Sequence, residues 1–411
     1  MATVKYCLEI ASIFLLGSEQ NLISQDVHEQ EVKTDETVRK LGIPSENKIL
    51  IRKEEDLHGI DKDRMDVLVV FPCCRDRFSS LIQLAENGLP MIVVGDGEAF
   101  ADALDTYSYL ADHSNVELVL TAEEVKTKLR ALETAKWVKN AKVCVLGLED
   151  PTPELAAWYR NPMGLGKLNI IRVSKEKVAG MFKNADKGLA ESIAKKWVSE
   201  CAVKEPLFED IVLSARVYLA LKNVIEETKS EAAYVPWCGQ FTQGLQTKMC
   251  FAIAKVADDG IPIGCYKGEN LLPMLILHAT AYKPVFVCEA NGRQGSTIEL
   301  RHCFSPTALS SCKPVLRPWR SLEHTVTAHC QLPKGEVTLV NCGIGDKILI
   351  TKARVTDCKD LEGDNCRITI YVELESEQTL HKLVSREFAL VYGDYTREVT
   401  EVAKKLGLEI L

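Results

Sequence analysis

Short runs of β-branched residues alternate with amphipathic stretches through the first third of the chain. The runs are "MDVLVVF", "PMIVVG", "VELVLT" and "KVCVLGL", which start at residues 65, 90, 116 and 142. Between them, stretches such as "EAFADALDTYSYLADH" carry apolar residues three or four positions apart, which is typical of helices that cover a sheet. The alternation predicts a parallel sheet with helices on its faces, and we assign residues 1–138 to a first doubly wound α/β domain.

The same pattern restarts after residue 138. The strand-like run "KLNIIRVS" is followed by a long amphipathic stretch that predicts a helix from about Phe208 to Glu227. We expect a second α/β domain over residues 139–300, which would carry part of the active site.

The last part of the chain is patterned differently. The segments "EVTLVNCGIGDKILITKARVTDC" and "RITIYVEL" alternate apolar and polar residues and are separated by Gly-Asp and Gly-Asp-Asn turns, with no helix between them. This predicts antiparallel strands. The final segment "EFALVYGDYTREVTEVAKKLGLEIL" predicts a strand, a helix and a short closing strand. The expected fold class is α/β, with two doubly wound domains followed by a C-terminal antiparallel β-rich domain over residues 301–411.

Composition and charge narrow the class of protein. The chain has 411 residues, 46% hydrophobic and 26% charged, which is enough for two or three cores. A net charge of -8, without a Lys- or Arg-rich run, argues against a nucleic acid or an anionic membrane surface as the main partner. The patch "IASIFLLG" is too short to span a bilayer. Fifteen cysteines, mostly scattered singly through apolar runs, are typical of a reducing compartment, so we expect the cytoplasm.

Common catalytic motifs are incomplete. The glycine pairs in "VVGDGEAF" and "NPMGLGKLN" complete neither a dinucleotide-binding pattern nor a P-loop, and they read as turn glycines. The adjacent Cys73 and Cys74 fit neither a CxxC redox pair nor a zinc knuckle, so we interpret them as packing residues. No GxSxG or HExxH sequence occurs.

One apolar stretch carries polar groups of another kind. In "STIELRHC" the strand period places His302 on the same face as Ile298 and Leu300. A histidine there is either a satisfied core residue or a ligand. Glu289 ends the hydrophobic run "PVFVCEA", where a buried carboxylate is costly unless it is paired or bound to a cation. A Glu and a His from neighbouring strand ends can together hold a divalent ion.

These strands belong to a long segment, "DDGIPIGCYKGENLLPMLILHATAYKPVFVCEANGRQGSTIELRHC", that resembles the L-fucose isomerase family, in particular its shorter members with the fucose isomerase C-terminal domain. The resemblance covers most of the chain. It includes "VPWCGQFTQGLQTKMCFAIAKV", "PKGEVTLVNCGIGDKILITKARV" and "FALVYGDYTREVTEVAKKLGLEIL". It implies a metal-dependent aldose–ketose isomerase that acts on a sugar or sugar acid, with a Mn²⁺-type ion, an enediol intermediate and a trimeric or hexameric homo-oligomer.

The resemblance also implies a metal set of Glu, Asp and His. His302 matches the family histidine, and Glu289 occupies the position of the Asp. The family Glu has no direct equivalent, because the two alignment registers place Tyr266 or Cys265 there. A local gap places Lys267 on the Glu and Glu269 on the acid that follows it.

Three interpretations of this departure stay open. Glu269 could restore the carboxylate count and keep Mn²⁺. Cys265 could ligate as a thiolate, which favours Zn²⁺. Lys267, if desolvated, could act as a base or as a Schiff-base amine; otherwise it is a solvated loop residue. If the site is lost, no cofactor is expected.

Two further residues are candidates for substrate binding. Arg386 stands where family members often carry histidine, and a guanidinium there favours a carboxylate, sulfonate or phosphate on the substrate. Trp237 could form a platform for a sugar face, or simply be a core residue. Two functions therefore remain: an isomerase or related carbonyl-chemistry enzyme, and a divergent relative without activity that serves as a sugar-binding or oligomeric partner protein.

Overall fold

The computed structural model describes residues 8–16, 36, 41, 48–61, 63–73, 77–147, 168–265, 268–319, 322–343, 345–360 and 368–411. The chain divides into two compact units. We call Lys5–Glu133 the N-terminal unit and Thr134–Leu411 the C-terminal unit. Within the described ranges, no helix combines the length and the apolar character that a membrane span requires.

The N-terminal unit is built on a five-stranded sheet with the order β2-β1-β3-β4-β5. All its pairings are parallel, as the sequence predicts. The run "IASIFL" forms the strand next to the centre, paired on both sides. The elements are β1 (Ile10–Leu15), β2 (Lys48–Ile51), β3 (Val67–Pro72), α1 (Ser79–Glu86), β4 (Met91–Val94), α2 (Phe100–Ser108), β5 (Val116–Val119) and α3 (Ala122–Asn140), which continues into the C-terminal unit, with 3₁₀ turns at Glu54–Gly59 and Gly97–Ala99.

Both faces of this sheet are covered by apolar packing. Leu68 and Val70 point into one core, and Val67 and Val69 into the other, because side chains alternate along a strand. This accounts for the uninterrupted apolar run of β3, all of which is buried.

A second parallel sheet, with the order β10-β9-β6-β7, begins the C-terminal unit. The long helix predicted from Phe208 is confirmed as Phe208–Thr228. The elements of this part are β6 (Lys142–Leu146), β7 (Asn169–Val173), α4 (Lys175–Asn184), α5 (Lys187–Glu200), β8 (Ala202–Val203), α6 (Phe208–Thr228), β9 (Ala232–Val235), a 3₁₀ turn (Cys238–Phe241), α7 (Thr242–Leu245), α8 (Cys250–Asp258), β10 (Ile263–Cys265) and α9 (Leu271–Ala281).

The same unit contains a seven-stranded sheet with the order β15-β18-β11-β12-β17-β16-β19, in which β15 also pairs with β16 and so closes a barrel-like arrangement. Its pairings are antiparallel except for the short β19, and the predicted closing strand, helix and strand are confirmed. The elements are β11 (Phe286–Gln294), β12 (Thr297–His302), β13 (Val315–Trp319), β14 (Leu322–His329), β15 (Gly335–Cys342), β16 (Lys347–Lys359), β17 (Ile368–Leu374), β18 (Glu387–Tyr392), α10 (Thr396–Lys405) and β19 (Glu409–Ile410), with 3₁₀ turns at Thr307–Leu309 and Glu377–Lys382. Strands β13 and β14 form a small sheet with β8.

The structure divides the chain differently from the expected domains 1–138, 139–300 and 301–411. The first break lies at Glu133, inside α3, and the remainder forms one unit. Strands β11 and β12 precede residue 301 yet belong to the antiparallel sheet, because a hairpin turn at Gly295, with φ of 57°, folds β12 back on β11. The barrel-like sheet therefore draws strands from both sides of the expected boundary.

Candidate functional site

The candidate site lies where the parallel sheet of the C-terminal unit ends. Strands β9 and β10 run side by side, with Cys265 paired to Val235 at their carboxyl ends. Residues that follow these strands therefore emerge at one edge, which is where open α/β sheets bind ligands. In this unit, His302 at the end of β12 and Glu387 at the start of β18 lie near the same edge.

A close approach between two strands shapes this edge. Gly264 pairs with Tyr234, and a Cβ atom added to Gly264 would lie 2.8 Å from Cε2 of the tyrosine ring. The missing side chain lets the buried ring cross the neighbouring strand. The Tyr234 hydroxyl accepts a hydrogen bond from the Gly268 amide and donates one to Oδ1 of Asn270, each at 2.7 Å. The start of α9 is thereby fixed against β9.

Asn270 connects this network to the barrel-like sheet. Its Nδ2 atom donates a hydrogen bond of 2.9 Å to Oε2 of Glu387, and both residues are completely buried. A buried carboxylate needs such a partner, because transferring it out of water without compensation is very costly. Glu387 is the first residue of the otherwise apolar strand "EFALVY", so its position is set by the strand pairing.

The strand register places a second carboxylate beside Glu387. Glu289 and Glu387 are directly opposite each other on the antiparallel strands β11 and β18, so that their side chains share a face with about 5 Å between Cβ atoms. Oε2 of Glu289 lies 3.4 Å from Nε of Arg386, which also donates a hydrogen bond of 2.8 Å to the Ala290 carbonyl. The Glu289 side chain is 19% exposed and that of Arg386 is 49% exposed. A substrate could therefore reach this ion pair.

His302 and Cys265 form another contact. Nε2 of His302 lies 3.9 Å from Sγ of Cys265, and both residues are buried. Nδ1 of His302 accepts a hydrogen bond of 3.3 Å from the Phe304 amide. In the neutral ring the proton is therefore assigned to Nε2, which faces the Cys265 sulfur.

Four cysteines from four different segments influence one another's pKa values, and one of them, Cys265, contacts His302. Cys250 and Cys265 both form hydrogen bonds with Cys238, which lower the pKa of Cys238 well below its usual range and raise the pKa values of Cys250 and Cys265. Cys250 is also hydrogen-bonded to Cys303. We call Cys238, Cys250, Cys265 and Cys303 the thiol cluster. By contrast, Cys144 is a single packed thiol whose pKa rises to about 11, chiefly because of burial.

A cation and an indole border the thiol cluster. Nε1 of Trp319 donates a hydrogen bond of 3.1 Å to Sγ of Cys303, and Nζ of Lys248 lies 4.5 Å from the centroid of the Trp319 ring. Lys248 is buried, and its charge contributes to the lowered pKa of Cys238. Cation–π contact helps to keep an ammonium group at such a position.

The structure separates the residues that the resemblance implies as a metal set. Glu289 is paired with Arg301, so its side chain shares a face with Arg301, whereas the next residue, His302, points to the opposite face. Among the described residues, no group of three or more His, Cys, Asp or Glu side chains is arranged to hold a metal ion. The set of Glu289, His302 and Cys265 does not fit one metal centre, because strand alternation separates Glu289 from His302, whereas Cys265 lies beside His302.

The other predicted residues are placed as follows. Glu269 is half-buried in the turn before α9, and Trp237, which begins the turn after β9, is 63% exposed. Lys267 and Tyr266 lie outside the described residues.

Sequence reasoning missed the side chains that complete the site. Glu387, the Tyr234–Asn270 pair and the three other thiols were not assigned to the site. The detectable signal was a charged residue opening a uniformly apolar strand, together with four cysteines at segment ends.

Comparison with known proteins adds no assignment: neither the protein-family models nor the curated proteins that were searched match this chain.

Proposed function

We propose that this chain is a fucose isomerase-like enzyme of carbohydrate metabolism, which interconverts an aldose and a ketose of a sugar or sugar acid through an enediol. The observation that supports this function is the placement of Glu289, which stands in register with the buried Glu387 and beside the half-exposed Arg386.

Two carboxylates in register repel each other unless a proton or a cation lies between them. The guanidinium of Arg386, whose Nε lies 3.4 Å from Oε2 of Glu289, is such a cation. Glu289 is the partly exposed member and therefore serves as the base that contacts substrate. Glu387 contacts no solvent and acts through Glu289, as a positioning residue anchored by Asn270.

The proposed reaction conserves every atom. Glu289 removes the proton from carbon 2 of the aldose, and the electron pair of that bond forms the carbon 1–carbon 2 double bond of the enediol. A proton then passes from oxygen 2 to oxygen 1, and Glu289 returns its proton to carbon 1. The guanidinium of Arg386 stabilises the negative charge that develops on the enediolate oxygen.

The resemblance implies Mn²⁺, or Zn²⁺ if Cys265 is a ligand. Since the residues of the implied set lie on different faces, no step of the reaction is assigned to a metal ion. A homo-oligomer, trimeric or hexameric, is proposed on the resemblance alone. A cytoplasmic location is proposed because the described cysteines are free thiols.

Solvent exchange tests the function directly. A panel of aldoses and sugar acids is incubated with the protein in D₂O, with and without added Mn²⁺ or Zn²⁺, and deuterium at carbon 2 is followed by NMR. We expect exchange with at least one member, and Glu289→Gln should slow it by about 10²–10⁴-fold, the usual contribution of a positioned base.

The Arg293–Glu377 ion pair provides a matched control. Its N–O distance is also 3.4 Å, but both side chains are 62% exposed. Glu377→Gln should leave the exchange rate unchanged. Exchange with no member of the panel, or undiminished exchange in Glu289→Gln, would contradict the proposal.

A second candidate function is favoured by Trp237, whose large exposed indole can stack on the apolar face of a sugar. A sugar-binding protein without catalysis would show quenching of Trp237 fluorescence on titration, lost in Trp237→Ala, and no deuterium at carbon 2.

A further inference from the structure

The segment that leads into α8 contains two buried polar residues that the proposed isomerisation does not use. Lys248 is 8% exposed and Thr247 is completely buried. In the part of the chain that the structure describes, Nζ of Lys248 meets neither a carboxylate nor a hydrogen-bond acceptor, and the Thr247 hydroxyl has no hydrogen-bond partner. A buried ammonium is costly without a counter-charge, and buried hydroxyls are nearly always paired. Both residues therefore lack the partners that their burial calls for.

The Lys248 ammonium is held at the candidate site. Nζ lies 4.5 Å from the centroid of the Trp319 ring, and Nε1 of Trp319 donates a hydrogen bond of 3.1 Å to Sγ of Cys303. Cys303 directly follows β12, two residues beyond Arg301, which is paired with Glu289. Two residues of extended chain span about 7 Å. The ammonium therefore lies near the end of β12, the strand that pairs with the one carrying Glu289.

The start of α8 adds a second feature that favours an anion. Lys248 immediately precedes the N-cap residue Met249, and within the described residues α8 has neither a side-chain cap nor an acidic residue in its first turn. The amide groups at a helix N-terminus carry partial positive charge and bind anions. The other charge interaction described for Lys248 is with the Cys238 thiol. An ammonium, a hydroxyl and a helix start that follow one another in the chain are groups that bind an oxyanion.

We propose that Lys248, with Thr247 as a second donor, binds an oxyanion of the substrate, so that the preferred sugar carries a phosphate, sulfate or carboxylate group. This inference rests on the proposed function and narrows its substrate class. The ammonium attracts the oxyanion as a point charge, and contact with the Trp319 ring keeps the ammonium in place. Arg386 stays available for the enediolate oxygen.

Inorganic phosphate is the probe for this site, because its binding needs no reaction. It is titrated into the full-length protein by isothermal titration calorimetry at constant ionic strength, with chloride as the blank. We expect one phosphate per chain, and Lys248→Met should weaken its binding by about 10- to 100-fold, the usual effect of losing a hydrogen bond to a charged group. If circular dichroism shows that Lys248→Met does not fold, Lys248→Gln gives the same comparison with a polar, uncharged side chain.

Lys359 provides the matched control. Its Nζ lies 4.9 Å from the centroid of the Tyr371 ring, but its side chain is 54% exposed and lies 3.7 Å from a carboxylate oxygen of Asp357. Lys359→Met should therefore leave the affinity for phosphate unchanged.

Deuterium exchange at carbon 2 relates the anion site to the substrate. Aldose phosphates, aldose sulfates and sugar acids are compared with their neutral parent sugars, and inorganic phosphate is added as a competitor. We expect the KM of the preferred anionic class to be about 10-fold below that of its neutral parents, and this advantage to be lost in Lys248→Met. The separate classes show which oxyanion the site accepts.

Three results would overturn the inference. The first is phosphate binding no stronger than that of chloride, because a Cys238 thiolate would then suffice as the counter-charge of Lys248. The second is equal phosphate affinity in the wild-type protein and in Lys248→Met. The third is exchange that phosphate does not inhibit, because the anion would then bind away from the substrate. If phosphate binds through Lys248 and no sugar exchanges, the proposed isomerisation fails while the anion site stands.

Discussion

The two parallel sheets of this protein end very differently. In the N-terminal unit, Gly95 follows β4 and packs so closely on α2 that an added Cβ would lie 3.1 Å from Cβ of Ala103, and Gly97 turns the chain with φ of 59°. In the C-terminal unit, the chain segments after β9 and β10 meet the ends of antiparallel strands that carry His302 and Glu387. Parallel topology supplies an edge in both units. In the C-terminal unit, antiparallel strands bring His302 and Glu387 to that edge, and the described residues at the corresponding edge of the N-terminal sheet include no comparable pair.

The buried polar residues show the same contrast. Among the described residues of the N-terminal unit they are the small hydroxyl side chains of Ser12, Ser80 and Thr106. In the C-terminal unit they include Asn270, Glu387, His302 and Lys248. Charged and amide groups cost more to bury than hydroxyls, so their retention indicates a site rather than packing.

Among the changes that compare the two units, the largest expected effect is catalytic and concerns Glu387. Glu387→Gln should slow deuterium exchange by about 10²-fold, because Glu289 then lacks the carboxylate that stands in register with it. The same change replaces a buried carboxylate by a neutral amide, so the free energy of unfolding should not fall. Ser12→Ala in the N-terminal unit is the comparison. If Ser12→Ala slows deuterium exchange as much as Glu387→Gln does, the buried polar residues of the two units do not differ in their effect on catalysis.

The next effect is on stability. Asn270→Ala leaves the buried Glu387 without the amide and should reduce the free energy of unfolding by about 3 kcal/mol, measured by urea denaturation. Asn115 of the N-terminal unit donates to the backbone carbonyls of Ala85 and Leu89 at 3.0 and 2.7 Å. Because these acceptors are neutral, Asn115→Ala should cost about 1–2 kcal/mol. If the two substitutions reduce the free energy of unfolding equally, the Asn270–Glu387 contact is no more important for stability than the Asn115 contacts of the N-terminal unit.

Acid should affect the C-terminal unit through His278 of α9. Burial lowers the pKa of His278 from 6.5 to about 4. Between these two values the unfolded chain binds a proton at His278 and the folded chain does not. The neutral histidine therefore contributes up to about 3 kcal/mol to the free energy of unfolding above pH 6.5, and this contribution is lost as the pH falls towards 4. His278→Gln should flatten the unfolding free energy over this range. A slope unchanged by the substitution would assign the acid sensitivity to other groups.

The smallest effect comes from the close approach of strands at the site. Gly264→Ala places a methyl group against the buried Tyr234 ring and should cost about 2 kcal/mol of unfolding free energy. Gly180→Ala in α4 is the control: an added Cβ there meets nothing within 4 Å, and alanine should stabilise the helix by about 0.5–1 kcal/mol. A harmless Gly264→Ala would mean that the ring has room to move.

Much of the architecture could be predicted because it depends on local patterns. The uniformly apolar run Val67–Pro72 predicts a strand buried on both faces. The long amphipathic stretch from Phe208 predicts a helix. Both predictions are confirmed. The hairpin at Gly295 was not used to divide the chain, so strands of the barrel-like sheet were assigned to the preceding domain.

The candidate site was only partly predictable, because strand alternation and pairing act together. Alternation correctly grouped His302 with Ile298 and Leu300, but it says nothing about which strand lies alongside. Only the pairing of β11 with β18 brings Glu387 to Glu289, nearly 100 residues apart in the chain. The pairing of β11 with β12 places Glu289 and His302 on opposite faces of the sheet.

The sequence by itself determined which parts of this protein form parallel and which form antiparallel sheets. The spacing of apolar residues and the residues found in turns are properties of neighbouring positions in the chain. Tertiary structure alone decided that Cys265 meets His302 and which carboxylate stands beside Glu289. Those contacts depend on the register and on the convergence of distant segments, and neither is encoded within any single stretch of the chain.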